Sequence, residues 1–306
     1  MSTDVRLFEV APRDGLQNED AILSTHDKLA LVDGLVRAGY RDIEVTSFVR
    51  ATYIPQLADA EALIRALPKV DGVRYWCLVP NMRGLERALS AGVTHVATFL
   101  SSSETHNRKN LNRTVRESLD GLRSVIATAQ AEDVQVRAYI STVFGCVYEG
   151  EIPIERTEDI ASELLSAGAN ELALGDTAGM GHPALVKDSL AHLQNAGFDL
   201  NQISLHFHDT LGTALANVYA AYEVGARAFD GAVSGTGGCP YAPGAAGNVA
   251  SQDMVNLFNR LGVHTGIDLE VLSETGQFLE DALGHPLPGR YHAYWQGREA
   301  RKIRSA

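Results

Sequence analysis

The stretch IERTEDIASELLSAGANELALGD, residues 154–176, contains the unit from which the fold is built. Residues 154–167 have the apolar period of an amphipathic helix. The pair Ala167-Gly168 is typical of a helix end, because glycine readily takes the left-handed conformation that closes a helix. The short apolar run at 171–174 is typical of a buried strand. The stretch therefore predicts a helix that leads directly into a strand.

The same alternation recurs along nearly the whole chain. Ala-Gly pairs that would end helices also stand at 38–39, 91–92 and 196–197. Strands are predicted at 5–10, 42–46, 74–79, 95–100, 135–141, 171–174, 203–208 and 229–234. Helices are predicted at 26–38, 56–66, 82–91, 115–131, 154–167, 183–195, 211–224 and about 253–261. Eight such units favour closure into a barrel over an open parallel sheet.

We therefore expect an α/β protein of (β/α)₈ TIM-barrel class with a C-terminal helical extension. The 306 residues fit one catalytic domain over 1–306, with the barrel at about 4–265 and the extension at about 266–306. An open doubly wound sheet would predict a G-x-G-x-x-G dinucleotide motif after the first strand. The sequence there is APRDGLQNE, which disfavours that alternative.

Composition narrows the classes of partner. A formal net charge of -12 disfavours binding to nucleic acid or to anionic membrane, since both use basic surfaces. The first residues show neither a basic region nor an apolar signal segment, so we expect a cytoplasmic protein. The three cysteines, Cys77, Cys146 and Cys239, do not form a CxxC pair and predict neither a disulfide scaffold nor a thiolate zinc site.

In a barrel of this class the catalytic residues lie at the carboxyl ends of the strands. The seventh strand ends in His206-Phe207-His208, and residues two apart on a strand point to the same face. Two converging imidazoles with a nearby carboxylate make a nitrogen and oxygen metal site, for which Asp14 is the candidate. An isolated pair of this kind is equally often two hydrogen-bonded core histidines. The position at a strand end favours the metal.

Charged residues near the first two strands form a second group. Arg13 and Asp14 follow the first strand, where the alternative is a surface ion pair worth only about 0–1 kcal/mol. Glu44 interrupts an apolar strand, and a buried carboxylate must be paired or functional, so we predict an Arg13–Glu44 pair. Asp176 follows the sixth strand. It either accepts a hydrogen bond from a histidine or caps a helix.

The glycine-rich loop SGTGGCPYAPGAAGN, residues 234–248, follows the eighth strand and is expected to bring Cys239 above the barrel mouth. A phosphate-binding loop is disfavoured because this one has two prolines and no lysine. Cys77 lies in a strand and is expected to be a core residue. The role of Cys146 stays open. Asn248 taken alone is typical of a turn.

Together these motifs resemble the hydroxymethylglutaryl-CoA lyase family. The resemblance runs from VAPRDGLQNE (10–19) through IEVTSFV, GCVYEG, LGDTAGMG and HFHDTLGTALAN to the glycine-rich loop. The wider superfamily includes isopropylmalate and homocitrate synthases, which share the paired histidines. The GGCPYA loop with Cys239 points to the lyase branch. The chain departs from the family at Arg50-Ala51-Thr52-Tyr53 and at Val147, in loops that can shape the acyl pocket.

The resemblance implies a carbon–carbon lyase that splits 3-hydroxy-3-methylglutaryl-CoA into acetyl-CoA and acetoacetate by a retro-Claisen step. It implies Mg²⁺ or Mn²⁺ as the cofactor, with catalytic roles for the remaining candidates. The metal ligands would be Asp14, His206, His208 and Asn248, and the catalytic residues Arg13, Asp14, Glu44, Asp176, His206 and Cys239. An acyl-CoA substrate and a homo-oligomer, a dimer or tetramer, are also expected. The alternatives are a lyase for citramalyl-CoA or for a longer 3-hydroxy-3-alkylglutaryl-CoA, a Claisen-type acyltransferase, and a protein that binds CoA or metal without catalysis.

Overall fold

Eight parallel strands close into a barrel, in the order in which they occur along the chain. The computed structural model describes residues 3–239 and 242–305, with the side chains of 239, 242–245 and 305 outside that description. The strands are β1 (Arg6–Glu9), β2 (Asp42–Ser47), β3 (Arg74–Leu78), β4 (His95–Ser101), β5 (Gln135–Ser141), β6 (Glu171–Asp176), β7 (Ile203–Phe207) and β8 (Ala228–Gly231). This arrangement confirms the predicted (β/α)₈ barrel.

Helices surround the barrel. They are α1 (Thr25–Ala38), α2 (Ala60–Ala66), α3 (Met82–Ser90), α4 (Glu104–Leu111), α5 (Val115–Ala131), α6 (Ile154–Ser166), α7 (Pro183–Asn195), α8 (Ala214–Glu223), α9 (Ser251–Arg260), α10 (Leu269–Leu283) and α11 (Arg290–Ser305). Helix α5 begins at a capping box, in which Thr114 Oγ1 accepts from the amide of Glu117 and the Glu117 carboxylate accepts from the amide of Thr114. None of the helices in the described ranges is long and apolar enough to span a membrane.

Glycine ends the helices as the sequence predicts. The residues after the four Ala-Gly alanines, Gly39, Gly92, Gly168 and Gly197, all have positive φ, between 85° and 111°. At Gly39 a Cβ atom would also lie 2.3 Å from the carbonyl oxygen of Gly266. A side chain there is excluded on both grounds. At these four glycines the chain therefore turns from a helix into the next strand at a fixed position.

The strand interiors are buried on both faces, as expected for a parallel sheet covered by helices. All six residues of β2 and all five of β7 are buried. The last helices extend beyond the barrel, and α10 packs against α1. Both α10 and α11 also contact a short 3₁₀ turn, Val233–Gly235, at the start of the glycine-rich loop. The extension thus supports the base of that loop.

Candidate active site

Arg13 and Asp14 reach the barrel mouth through a π-helical turn, Ala11–Gly15, directly after β1. The buried carboxylate of Glu9 holds this turn, because its Oε1 accepts from the amide of Ala11 at 2.9 Å. The same oxygen accepts from the amide of Val233 at 2.9 Å, in the loop after β8. One carboxylate therefore fixes the positions of the two loops that contribute to the site.

A cluster of possible metal ligands lies at this mouth. One ligand atom each from Asp14, His206 and His208 lies within 4.8 Å of the others. The Nε2 atoms of the two histidines are 3.2 Å apart, and Asp14 Oδ2 is 3.9 Å from His206 Nε2. Burial, together with the charge of His206, lowers the pKa of His208 to about 4, which leaves its ring neutral at physiological pH. A neutral imidazole is the form that binds a cation.

Asn248 completes the cluster from the end of the glycine-rich loop. Its Nδ2 donates to Asp14 Oδ2 at 2.9 Å and to the carbonyl oxygen of Thr236 at 3.2 Å. Its Oδ1 is buried and accepts no hydrogen bond within the described ranges. A buried carbonyl oxygen without a donor is costly unless a ligand occupies it. Two imidazole nitrogens, a carboxylate and this oxygen therefore fit a divalent cation.

Arg13 lies between two carboxylates. Its guanidinium donates to Asp14 Oδ1 and, at 2.9 Å, to Glu44 Oε2, so the predicted Arg13–Glu44 pair is present. Burial alone would raise the pKa of Asp14, but the charges of Arg13 and the histidines outweigh it and hold that pKa well below its usual range. Arg13 Nε has no acceptor among the described residues. This donor is therefore both buried and unpaired among the described residues.

Residues inside the strands support the site, and sequence reasoning missed them. Tyr139 on β5 donates to Glu44 Oε2 at 2.8 Å, and its ring meets that of His206 edge-on at 5.9 Å. Asp230 on β8 lies 3.1 Å from His206 Nδ1. Burial would raise the pKa of Asp230, yet the charge of Arg137 and the bond to His206 lower it to about 2. The test applied to Glu44, a charged residue in an apolar strand, also selects Asp230 and Arg137.

Asp176 has different partners from the two that the sequence suggested. Its carboxylate accepts from the backbone amides of Met180 and Gly181, at 2.9 and 3.1 Å, and so closes the loop after β6. The N-cap of α7 is His182. Burial raises the pKa of Asp176 to about 6, against the lowering effect of those amides. Its catalytic role stays a prediction.

The cysteines differ in environment. The side chain of Cys239 lies outside the described residues, although its backbone forms strand β9 (Gly238–Cys239), paired with β10 (Ala242–Ala246). Cys77 is fully buried on β3, as expected of a core residue, and burial raises the pKa of its thiol. Cys146 is buried and donates to Ser103 Oγ at 3.1 Å. Nothing in this geometry assigns Cys146 a reaction.

Comparison with known proteins agrees with this geometry. The family model described as HMGL-like matches residues 4–279. A hydroxymethylglutaryl-CoA lyase of Bacillus subtilis is 47% identical over 286 residues, which are 94% of this chain and 95% of the relative. A mouse 3-hydroxy-3-methylglutaryl-CoA lyase named as cytoplasmic is 42% identical over 275 residues, or 90% and 80% of the two chains.

A solved structure gives the same result. The structure of an HMG-CoA lyase from Acinetobacter baumannii, in complex with coenzyme A and 3-methylmalate, superposes with a TM-score of 0.89. The two chains are 38% identical, and the match covers 94% of this chain and 93% of that one. The range matched by the family model, residues 4–279, contains the turn after β1, the paired histidines and the glycine-rich loop. The chain therefore belongs to the HMGL-like family and groups with its hydroxymethylglutaryl-CoA lyases.

Proposed function

We propose that this protein is a divalent-metal-dependent lyase that cleaves 3-hydroxy-3-methylglutaryl-CoA into acetyl-CoA and acetoacetate. The relatives that bear this name match nearly the whole chain. The observation that carries the proposal is the buried guanidinium of Arg13 beside the ligand cluster of Asp14, His206 and His208. A cation site next to a fixed positive charge suits a reaction in which two substrate oxygens gain negative charge.

In the proposed reaction the proton of the C3 hydroxyl group is removed and the C2–C3 bond breaks. The hydroxyl oxygen becomes the ketone oxygen of acetoacetate, while the electron pair of the broken bond forms the enolate of acetyl-CoA. Asp14 and His206 are the two candidate bases, and Asp14 Oδ2 lies 3.9 Å from His206 Nε2. An imidazole whose Nε2 holds the cation has no second lone pair to accept the proton, which favours Asp14. A divalent cation, when bound, lowers the pKa of the substrate hydroxyl group.

Arg13 is proposed to stabilise the thioester oxygen as it becomes negative. Two of its nitrogens are held by Glu44 and Asp14, which fixes the plane of the guanidinium. The Arg13 side chain is 7% exposed beside the ligand cluster. A fixed donor of this kind contributes about 2.7–4 kcal/mol to stabilisation of an oxyanion.

The enolate must then take up a proton at C2, and we assign this step to Cys239 on the basis of the family resemblance. The backbone before this thiol has glycines at positive φ, Gly235 at 73° and Gly237 at 104°. These conformations favour glycine and bend the chain sharply ahead of Cys239. Asn18 Nδ2 donates to the carbonyl oxygen of Gly238 at 3.4 Å, which links the loop to the segment after β1.

For the metal, we propose Mg²⁺ or Mn²⁺. The ligand set of two imidazole nitrogens, a carboxylate and an amide oxygen leaves room for substrate oxygens, and hard octahedral cations accept such a mixed shell. None of the four candidate ligands is a thiolate, which disfavours a structural zinc site.

A substrate panel tests the proposed function. The purified protein, reconstituted with Mg²⁺ or Mn²⁺, is offered 3-hydroxy-3-methylglutaryl-CoA, citramalyl-CoA and a longer 3-hydroxy-3-alkylglutaryl-CoA. We expect the first to be cleaved with the highest kcat/KM, with acetoacetate and acetyl-CoA released in equal amounts. Preferential cleavage of another member would replace the proposed substrate. Failure of all three to react would refute the lyase assignment.

For its assembly, we propose a homo-oligomer, a dimer or tetramer. Helix α11 exposes the large apolar side chains of Tyr294 and Ile303, which are 63% and 79% exposed. We propose that association of subunits covers these exposed side chains. Light scattering on the purified protein tests the proposal, and a monomer at micromolar concentration would contradict it.

We also propose a cytoplasmic location. The mouse relative that is named as cytoplasmic supports it. Fractionation of the source cells with an activity assay tests this, and activity confined to an organelle would contradict it.

A further inference from the structure

A chain of buried polar side chains lies directly behind His206. Its Nδ1 is 3.1 Å from Asp230 Oδ2. The other oxygen of that carboxylate accepts from Ser204 Oγ at 2.9 Å and from Arg137 Nη2. Arg137 and Ser204 are fully buried, while Asp230 and His206 are 1% and 8% exposed. These groups are therefore shielded from water, which makes their contacts strong.

The barrel register produces this arrangement. Ser204 and His206 are two residues apart on β7 and share a face, and Asp230 is the register partner of His206 on β8. Arg137 reaches the carboxylate from β5, and its guanidinium lies 3.8 Å from the ring centroid of Phe8 and 4.9 Å from that of Tyr139. Strands β5 and β7 thus hold Asp230, on β8, in one orientation.

The contacts also determine where the proton of the imidazole lies. Asp230 Oδ2 only accepts, since the carboxylate pairs with the guanidinium of Arg137. The Nδ1 atom of His206 must therefore carry the hydrogen, which leaves the lone pair of the neutral ring on Nε2. His208 differs, because its Nδ1 has no partner in the part of the chain that the structure describes. Only one of the two histidines has its ring fixed from behind.

We infer that Asp230, held by Ser204 and Arg137, is a positioning residue that fixes His206 as the Nδ1–H tautomer with Nε2 presented to the cation. The inference rests on the proposed function only in requiring that a divalent cation binds at this site. A carboxylate behind a ligating histidine orients the ring and raises its basicity, and its loss typically weakens metal binding roughly 10- to 100-fold. Asp230 acts through His206 and does not itself contact the cation.

Asp230→Asn tests the inference because one amide oxygen cannot accept both from His206 Nδ1 and from the donors of Ser204 and Arg137. With its oxygen towards His206 Nδ1, its NH₂ group faces the donors of Ser204 and Arg137. With its NH₂ group towards His206, the ring must move its proton to Nε2. Ser204→Ala is the milder variant. Ser118→Ala is the matched control, since Ser118 is also buried and its hydroxyl accepts from Asn107 Nδ2 at 2.8 Å, outside the ligand cluster.

The readout is the affinity for Mn²⁺ alone, measured from the electron paramagnetic resonance signal of the free ion. We expect the dissociation constant to rise roughly 10- to 100-fold in Asp230→Asn and less in Ser204→Ala. Ser118→Ala should keep the wild-type value. An unchanged constant in both Asp230→Asn and Ser204→Ala would overturn the inference.

A second readout needs neither metal nor activity. The ¹⁵N spectrum of imidazole-labelled, metal-free wild-type protein at mildly alkaline pH should show His206 as the Nδ1–H tautomer, with assignment from a His206→Gln spectrum. A finding of Nε2–H in the wild type would overturn the inference even if Asp230→Asn did not fold. Wild-type Mn²⁺ binding without cleavage of any acyl-CoA would instead refute the proposed function and leave the inference standing.

Discussion

Replacing Arg13 by methionine tests both its proposed role in the reaction and its structural role. Methionine keeps an unbranched side chain but removes the charge between Asp14 and Glu44. Loss of one oxyanion donor lowers kcat by roughly 10²- to 10³-fold. Loss of the charge also leaves Glu44 buried without its counter-charge, and breaking such a pair costs about 3–5 kcal/mol of stability. Both effects are expected in the single variant, so the single variant alone is ambiguous.

The Glu44→Gln background resolves this ambiguity. Tyr139 can still donate to the amide oxygen of a glutamine at this position, where it now donates to Glu44 at 2.8 Å. In this background position 44 carries no charge, so removal of Arg13 no longer leaves a buried carboxylate without a counter-charge. We expect Arg13→Met in this background to cost much less stability than in the wild type. The fall in kcat should remain roughly 10²-fold or more relative to Glu44→Gln.

The assay combines acetoacetate release, urea denaturation and Mn²⁺ binding on the four proteins of this cycle. Mn²⁺ binding is measured because Arg13 donates to the candidate ligand Asp14, and kcat is then compared among the four proteins at saturating Mn²⁺. If Arg13→Met in the Glu44→Gln background changed kcat only a few fold, Arg13 would act by holding Glu44, and its assignment to the thioester oxygen would be wrong.

Three further outcomes are expected. Chelation of divalent cations should abolish turnover, and Mg²⁺ or Mn²⁺ should restore it; full activity in rigorously metal-free protein would refute metal dependence. Cys239→Ser should greatly lower kcat with Mn²⁺ binding preserved, because a hydroxyl is a poor proton donor at neutral pH, whereas Cys146→Ser should stay close to wild type. The reverse pattern would show that the wrong cysteine has been assigned. Burial raises the pKa of Glu9 from 4.5 to about 7, so between these pH values the folded state holds a proton that the unfolded chain has released. The free energy of unfolding should therefore fall by about 3 kcal/mol as pH rises through this window. Glu9→Gln should remove that fall. The free energy of unfolding of the variant is subtracted from that of the wild type across this pH range, with chelator present. A difference that does not change with pH would contradict the raised pKa.

The barrel could be predicted because its signals are local and repeated. Most helices have an apolar period, and a glycine ends the helices before β2, β4, β6 and β7, so the repeated weak patterns support one another. Helix α4, Glu104–Leu111, was not predicted, because it is short and largely polar and presents no apolar stripe. It depends on side-chain bonds instead, such as that of Ser103 Oγ to the amide of His106 at its N-cap. Such bonds depend on how the chain is already placed.

The candidate site was predicted mainly from the strand ends, and Glu44 was selected as a charged residue inside a strand. His206, His208 and Asp14 could be selected because barrel chemistry concentrates at strand ends. Tyr139 and Asp230 lie inside strands, where the role of a polar side chain depends on its partner on another strand. Asp230 is the register partner of His206, and β7–β8 register cannot be read from either segment alone. The contacts of Asp176 were missed because its partners are backbone amides, which a sequence does not identify.

The charges inside this barrel position one another, and their burial lowers the stability of the fold. Arg137 pairs with Asp230 and Arg13 pairs with Glu44 from different strands or loops, and Arg13 also pairs with Asp14, its neighbour in the same turn. Buried ion pairs of this kind rarely increase stability over apolar packing, because removing each charge from water costs several kcal/mol. This loss of stability is useful when the charges must be in place before the substrate binds. Strands β2, β5 and β8 supply Glu44, Arg137 and Asp230, so closure of the barrel itself sets the positions of Arg13 and His206. A substrate that develops charge at two oxygens then meets groups that need not reorganise, which is the condition under which fixed charges lower an activation barrier.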